Sequence, residues 1–227
     1  VATFSRVTSA DDYLAQARAL LDDFNDSGRE VIRLADQVLA TSQSAEAYYY
    51  RASGKTLLGE YESALSDVDK AFMIAPNRSR YYMLRATIRL MLADAKGAIL
   101  DYSQVIYFNP SDAIAFANRG NARLSIGDTE AGRSDLARSI SLLHSPKGPK
   151  ELQSRANSRQ LLGDLRAALA DYNELIRLYP RNAITYMNRA SVSQKLGDTV
   201  QMCRDLLTAL RLGFSKADYY YRQNCSR

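Results

Sequence analysis

Small apolar residues recur along the chain at intervals of about 34 residues, at two positions within each interval. The first position is occupied by Ala52, Ala86, Gly120, Ala156 and Ala190, and the second by Ala64, Ala98, Gly132 and Ala168, with Met202 as the departure. Larger apolar residues stand four positions away, at Tyr48, Tyr82, Phe116, Leu152 and Tyr186 and at Val68, Tyr102, Leu136, Tyr172 and Leu206. Residues four apart share one face of an α-helix, so each interval predicts two helices that approach closely at the small residues.

Turn signals divide each interval into its two helices. The turns are Leu58-Gly59-Glu60, Ala93-Asp94, Ile126-Gly127-Asp128, Leu162-Gly163-Asp164 and Leu196-Gly197-Asp198. Glycine at such a point ends one helix in a left-handed cap, and aspartate caps the next helix. Pro76 and Pro110 lie 34 residues apart, and Pro180 lies 70 beyond Pro110, which is two intervals plus a two-residue insertion within 145–149. The chain therefore predicts short antiparallel helix pairs in series.

This pattern resembles that of the tetratricopeptide repeat family, whose unit is a helix-turn-helix of 34 residues. The resemblance covers five clear repeats, at about 45–77, 79–112, 113–146, 149–182 and 183–215. A degenerate repeat spans about 11–42, where Leu14, Leu21, Leu34 and Val38 keep the helical spacing, and 216–224 predicts a capping helix. The resemblance implies an all-α fold in which antiparallel helix hairpins form a right-handed superhelical solenoid, a single domain over 1–227.

An arginine and an aspartate recur together in the five clear repeats. The pairs are Arg51 with Asp67, Arg85 with Asp101, Arg119 with Asp135, Arg155 with Asp171, and Arg189 with Asp205. Because the hairpin turns about midway between them, the two residues face each other, and we expect an ion pair inside each hairpin. The degenerate repeat has Ala17 and Arg33 at these places and so lacks both members. A ladder of arginines facing a ligand is the less favoured alternative, because each arginine has a carboxylate at hand.

The resemblance also implies where a partner would bind. In this family certain positions of the first helices face the concave side of the array. Carried over to this chain, they include Tyr49, Tyr50, Ser53, Met83, Thr87, Asn118, Asn121, Asn157, Met187, Asn188 and Ser191. Tyrosine and methionine supply adaptable apolar contact, and asparagine can bond both the N–H and the C=O of a peptide backbone. Packing between repeats explains some apolar residues of this wall, such as Leu84 and Leu124, equally well.

The two cysteines, Cys203 and Cys225, each lie 11 residues from Phe214, within the turn before the predicted cap. An antiparallel helix pair turning there brings the sulfurs level, which predicts a disulfide and an oxidising, periplasmic or secreted location. Two unrelated thiols in a cytoplasmic protein are the alternative. The chain opens at Val1 without an apolar leader in 1–12, so either a leader has been removed or the sequence has been trimmed.

Composition narrows the function classes. The hydrophobic (46%) and charged (24%) fractions are those of a globular protein, and no apolar run approaches the about 20 residues that cross a bilayer. The net charge of +5 favours acidic partners. Nucleic acid is nevertheless an unlikely partner, because the chain has no run of lysine and arginine and its most regular arginines are matched by aspartates.

Catalytic and metal-binding constellations are not found. One histidine and two cysteines assemble neither a zinc site nor a nucleophile–base pair. Residues 53–56, Ser-Gly-Lys-Thr, match the end of a phosphate-binding loop, but Tyr49 stands where that loop needs glycine. We therefore expect no enzyme, cofactor or metal, and a scaffold whose concave groove binds an extended peptide or a helix of a partner protein. The alternatives are a self-assembling structural subunit and, less favoured, an RNA-binding helical array.

Overall fold

The computed structural model describes residues 9–22 and 27–225, which form thirteen α-helices and no strand. The helices are α1 Ala10–Asp22, α2 Gly28–Leu39, α3 Ala45–Leu58, α4 Tyr61–Ile74, α5 Ser79–Met91, α6 Ala95–Phe108, α7 Ala113–Ser125, α8 Thr129–Leu142, α9 Pro149–Leu162, α10 Leu165–Leu178, α11 Ala183–Lys195, α12 Thr199–Arg211 and α13 Lys216–Cys225. They form two compact units, 1–110 with α1 to α6 and 111–227 with α7 to α13. The prediction of an all-helical hairpin array that ends in a capping helix is confirmed.

The hairpin turns follow from local backbone chemistry. Gly59, Gly127, Gly163 and Gly197 have φ between 80° and 90°, the left-handed conformation that ends a helix. Ala93 takes the same conformation, with φ of 62°, where this turn lacks glycine. The carboxylates of Asp94 and Asp198 accept hydrogen bonds from backbone N–H groups of the following helix at 2.9 Å, and that of Asp164 does so at 3.4 Å. Asp128 makes no such bond, although the sequence predicts one.

Close approach of the two helices explains the small residues. Ala52, Ala64, Ala86 and Ala98 of the first unit are completely buried. In the second unit, a Cβ added to Gly120 would lie 2.9 Å from the carbonyl oxygen of Gly132. Helices α7 and α8 therefore meet backbone against backbone, which requires glycine. The departure at Met202 lies in the last hairpin, where its side chain packs with Leu206 and with Ala217 of α13.

Each clear hairpin brings its arginine and aspartate together. The distances from arginine Nη2 to aspartate Oδ1 are 2.7 Å for Arg51–Asp67, 2.8 Å for Arg85–Asp101, 2.9 Å for Arg119–Asp135, 2.7 Å for Arg155–Asp171 and 2.6 Å for Arg189–Asp205. The arginine Nε also donates to the second carboxylate oxygen, so each pair is bidentate. In the degenerate repeat Ala17 is buried, and Arg33 pairs instead with Glu30 on its own helix.

A second donor reaches the same aspartate. Four residues after the arginine stand Lys55, Arg89, Arg123 and Arg159, each 2.6 or 2.7 Å from the carboxylate of its repeat. In the last repeat Ser193 occupies this position, and the amide nitrogen of Gln201 donates to Asp205 instead. Burial acts to raise the pKa of Asp67, but hydrogen bonds from Arg51 and Lys55 outweigh burial and hold that pKa below its ordinary value. The carboxylate thus stays charged in the interior.

The arginine also contacts the preceding hairpin. Its Nη1 lies 2.8 Å from Asp36 in the case of Arg51, and 3.3 Å from Asp69 in the case of Arg85. For Arg155 and Arg189 of the second unit this third partner is neutral. Arg189 donates to Asn173, and Arg155 donates to the backbone carbonyl oxygens of residues 143 and 144. One side chain therefore fixes both the geometry of its own hairpin and its attachment to the one before.

Arg85 supplies an internal comparison between a buried and an exposed partner. The side chain of Asp101 is 3% exposed and that of Asp69 is 53% exposed, and both bind this arginine. We expect Asp101→Ala to lower the free energy of unfolding by about 3–5 kcal/mol, because it removes the buried carboxylate that Arg85 and Arg89 share and leaves them only exposed partners. The matched control Asp69→Ala is expected to cost at most about 1 kcal/mol. Urea unfolding of both variants measures the difference, and equal losses would contradict the assignment.

Candidate functional site

In the first unit, the predicted binding residues lie on the first helices α3 and α5. Tyr50 and Ser53 are 5% and 9% exposed, so these two side chains serve mainly the core. Tyr50 packs against Ala17 and the buried face of α2, a contact that the sequence-based alignment of repeats did not anticipate. Met83 and Thr87 are partly exposed, and Thr87 donates to the backbone oxygen of residue 83.

The surface around Tyr49 combines aromatic rings with both signs of charge. The guanidinium of Arg80 lies 5.1 Å from the ring centre of Tyr49 and 5.3 Å from that of Tyr81, a cation–π arrangement. Arg80 also binds the carboxylate of Glu46 at 2.7 Å. A cavity of about 390 Å³, bordered by Glu46, Tyr50 and Arg18, opens beside it. This face of the first unit thus offers flat apolar contact beside polar groups.

In the second unit, side-chain amides form a hydrogen-bonded row across α9 and α11. The Oδ1 atom of Asn157 accepts from Gln153 Nε2 at 2.9 Å, from the Tyr172 hydroxyl at 2.6 Å and from Asn188 Nδ2 at 3.5 Å. No partner is found for the amide nitrogen of Asn157 or the amide oxygen of Asn188 among the described residues. The row therefore presents a donor and an acceptor side by side.

Further hydrogen bonds hold this amide row in place. Gln160 Nε2 donates to Ser191 Oγ at 3.2 Å, and Thr185 Oγ1 donates to Gln153 Oε1 at 3.4 Å. Both bonds join α9 to α11, the first helices of neighbouring repeats. Burial raises the pKa of Tyr172, so its hydroxyl keeps the hydrogen that it donates to Asn157 or, 2.9 Å away, to Gln160.

The remaining predicted residues have different surroundings. Asn121 is exposed on α7 and Asn118 is partly exposed there. Met187 packs against the apolar cluster that joins α11, α12 and α13. Of the predicted set in this unit, the structure thus brings Asn157, Asn188 and Ser191 into one network with two glutamines.

Sequence reasoning gave Tyr102 and Tyr172 a packing role and missed their hydroxyls. The Tyr102 hydroxyl lies 3.3 Å from Thr87 Oγ1, and the Tyr172 hydroxyl binds Asn157, so each reaches from the second helix to the first. Burial raises the pKa of Tyr102 to about 12. The available signal was a tyrosine where other repeats have valine or leucine, with a polar residue 15 positions earlier.

The two cysteines also lie together. The Cα atoms of Cys203 on α12 and Cys225 on α13 are 5.6 Å apart, within the range that a disulfide requires. Both side chains pack against the apolar cluster beneath the capping helix. Within the described residues, no helix is long and apolar enough to cross a membrane, and no group of three potential metal ligands occurs.

Comparison with known proteins gives one sequence relative and many solved structures of similar fold. No protein-family model matches the chain. Tetratricopeptide repeat protein 36 of Danio rerio is 39% identical over 70 residues, which are 31% of this chain. The match spans 37% of the length of that relative.

Solved structures share the arrangement of helices at low sequence identity. One chain of the APC/C hetero-tetramer Cut9–Hcn1 gives a TM-score of 0.71 at 14% identity, over 89% of this chain and 40% of its own length. TTC0263, a tetratricopeptide repeat protein of Thermus thermophilus, gives 0.66 at 19% identity, over 81% of this chain and 98% of its own. Yeast Tom70 gives a TM-score of 0.59 at 17% identity, over 95% of this chain and 46% of its own length. These solved structures show that the chain has the helical-hairpin fold of tetratricopeptide repeat proteins, which its recurring sequence pattern resembles.

Proposed function

We propose that this chain is a protein-interaction scaffold whose first helices bind an extended peptide segment of a partner protein. The observation that supports the proposal is the amide row of α9 and α11. There Asn157 keeps two N–H groups and Asn188 keeps a carbonyl oxygen for which the described residues supply no partner. These are the complements of the C=O and N–H groups of a peptide backbone.

The hydrogen-bond network orients the side-chain amides of this row before any ligand binds. A side-chain amide that turns freely loses entropy when a ligand fixes it, and that loss weakens binding. Here Gln153, Tyr172 and Asn188 already orient the carboxamide of Asn157. An extended peptide has backbone groups unpaired within itself, so it gains hydrogen bonds at little cost in ordering of the receptor.

The charged pairs inside the hairpins are separate from this surface. The five recurrent arginines bind aspartates within their own hairpins, so their charge is already matched. The amides and the aromatic surface around Tyr49 remain for a ligand. Cut9 and Hcn1 form a hetero-tetramer, and the shared fold supports protein binding as the role of this chain.

A library of displayed random peptides tests the proposal. Peptides selected on the intact chain are expected to bind Asn157→Ala/Asn188→Ala about tenfold or more weakly, since each lost hydrogen bond contributes about 1 kcal/mol. The matched control Gln104→Ala removes an exposed amide on the second helix α6 and should leave affinity unchanged. Isothermal titration calorimetry measures both, and thermal unfolding checks that each variant is folded.

Two results would overturn this proposal. One is the failure of any selected peptide to bind the intact chain in solution. The other is equal binding by the intact chain and the Asn157→Ala/Asn188→Ala variant, which would remove the amide row from the site.

We also propose that Cys203 and Cys225 form a disulfide that fastens α13 to α12. Their positions in the structure support this, and the closed loop of 22 residues implies a stabilisation of about 3 kcal/mol. Iodoacetamide should label neither cysteine before reduction and both after it, as read by mass spectrometry. Cys225→Ser should unfold at lower denaturant concentration than the parent, and the difference should vanish in reductant. Labelling of both cysteines without reduction would exclude the bond.

A further inference from the structure

The net positive charge of the chain comes from its second unit. Residues 1–110 carry 12 lysines and arginines against 14 aspartates and glutamates, whereas 111–227 carry 18 against 11. The whole surplus of +5 therefore lies in the second unit, and the first unit is slightly acidic. A charge surplus on one unit attracts ligands of opposite charge most strongly where the cations cluster on its surface.

Five of these cations lie along one edge of the second unit. Successive helices run antiparallel, so the C-termini of α8, α10 and α12 lie beside the N-termini of α9, α11 and α13. We call this the inter-repeat edge and define it as 141–151, 177–184 and 211–220. Its exposed cations without an ion-pair partner among the described residues are Lys147, Arg177, Arg181, Arg211 and Lys216.

Acidic residues of the same edge are already engaged. Glu151 accepts a hydrogen bond from the backbone N–H of residue 147, and Asp218 pairs with Arg222 at 2.7 Å. Glu174 lies on α10, one turn before the edge, and so does not belong to it. The edge therefore keeps a positive surplus. On the opposite, hairpin-turn edge of this unit, cations such as Arg166 and Lys195 are balanced by Asp128, Asp164 and Asp198. The inter-repeat edge therefore has the larger positive surplus of the two edges.

Helix stability does not account for this placement. Cations stabilise the C-terminus of a helix, which fits Arg177 and Arg211. Lys147, Arg181 and Lys216 stand at or just before the N-termini of α9, α11 and α13, where a positive charge opposes the helix dipole. Three of the five cations therefore reduce helix stability slightly. A destabilising position of this kind is consistent with a role in binding rather than in folding.

Exposed apolar side chains stand between these cations. Leu178, Ile184, Tyr219 and Tyr220 are between 46% and 66% exposed, and the rings of the two tyrosines contact each other at 5.4 Å. Tyrosine is enriched where proteins meet the interface of a bilayer, and clusters of lysine and arginine bind anionic headgroups. Single-stranded RNA stacks its bases on aromatic faces, so the two tyrosines suit either ligand, whereas the aliphatic Leu178 and Ile184 favour a bilayer.

We propose that the inter-repeat edge of the second unit docks on the surface of an anionic phospholipid bilayer. The five cations bind headgroup phosphates and carboxylates, and the aliphatic and tyrosine side chains enter the interface between them. The surface lies at the ends of the helices, whereas the amide row lies along the sides of α9 and α11. A docked chain can therefore bind a peptide at the same time.

Vesicle co-sedimentation tests the proposal, with phosphatidylcholine vesicles that contain about 30% phosphatidylserine. The intact chain should bind these vesicles, should not bind phosphatidylcholine alone, and should be released by about 0.5 M salt. Arg177→Glu/Arg211→Glu should lower the partition coefficient at least roughly tenfold, since each cation contributes on that scale. The matched control Arg166→Glu/Lys195→Glu changes the net charge equally on the opposite edge and should have a much smaller effect.

Three outcomes would overturn this inference. The first is no binding to the anionic vesicles at low salt. The second is an equal loss in the two double variants, because binding would then follow net charge alone. The third is binding of a single-stranded RNA oligonucleotide or of polyglutamate, sensitive to Arg177→Glu/Arg211→Glu, without binding of vesicles, which would assign the edge to another polyanion.

Discussion

In each clear repeat a buried aspartate accepts a bidentate pair of hydrogen bonds from an arginine on the facing helix, and a further donor completes its shell. Removing such a carboxylate from water is costly, and the hydrogen bonds offset that cost only when their geometry is good. The pairs of Arg51–Asp67 and Arg189–Asp205, at opposite ends of the clear repeats, have nearly the same geometry. The interaction thus specifies one relative position of two helices, and small residues such as Ala52 and Ala64 permit the close approach.

The two units differ in the groups that bind these arginines from the preceding hairpin, and they differ in surface charge as well. In the first unit, the outer partners of the arginines are carboxylates, Asp36 and Asp69, whereas in the second unit Asn173 and backbone carbonyls take their place. The second unit also has the larger surplus of lysine and arginine over aspartate and glutamate. Its first helices carry neutral amides, so its charged edge and its amide row are chemically distinct surfaces of one unit.

The sequence was sufficient for features that repeat with the backbone. An arginine and an aspartate 16 residues apart meet in every clear hairpin because the turn length is constant, and a cation at Lys55 and its equivalents could have been added from the same recurrence. The left-handed residue at Ala93 was not predictable from a glycine signal, because the turn geometry imposes it on alanine.

Features that depend on several helices at once were not predictable. Repeat position placed Tyr50 on the binding face, but α1 and α2 cover it, and the degenerate repeat gave no sign of that contact. The amide row depends on which rotamers Asn157, Gln160 and Asn188 adopt together, and a single sequence does not specify rotamers. The inter-repeat edge combines three segments that are distant in sequence, and the order of the helices brings them together.

A double-mutant cycle between Arg155 and Asp171 tests the central claim most directly, that paired charges inside the hairpins hold the array. The cycle compares the unfolding free energies of the parent, Arg155→Ala, Asp171→Ala and the double variant, and it isolates the coupling of the two side chains. The structure predicts a favourable coupling energy above about 1 kcal/mol for this buried, bidentate pair. Additive effects of the two substitutions would contradict the account, since the pair would then contribute nothing beyond its separate members.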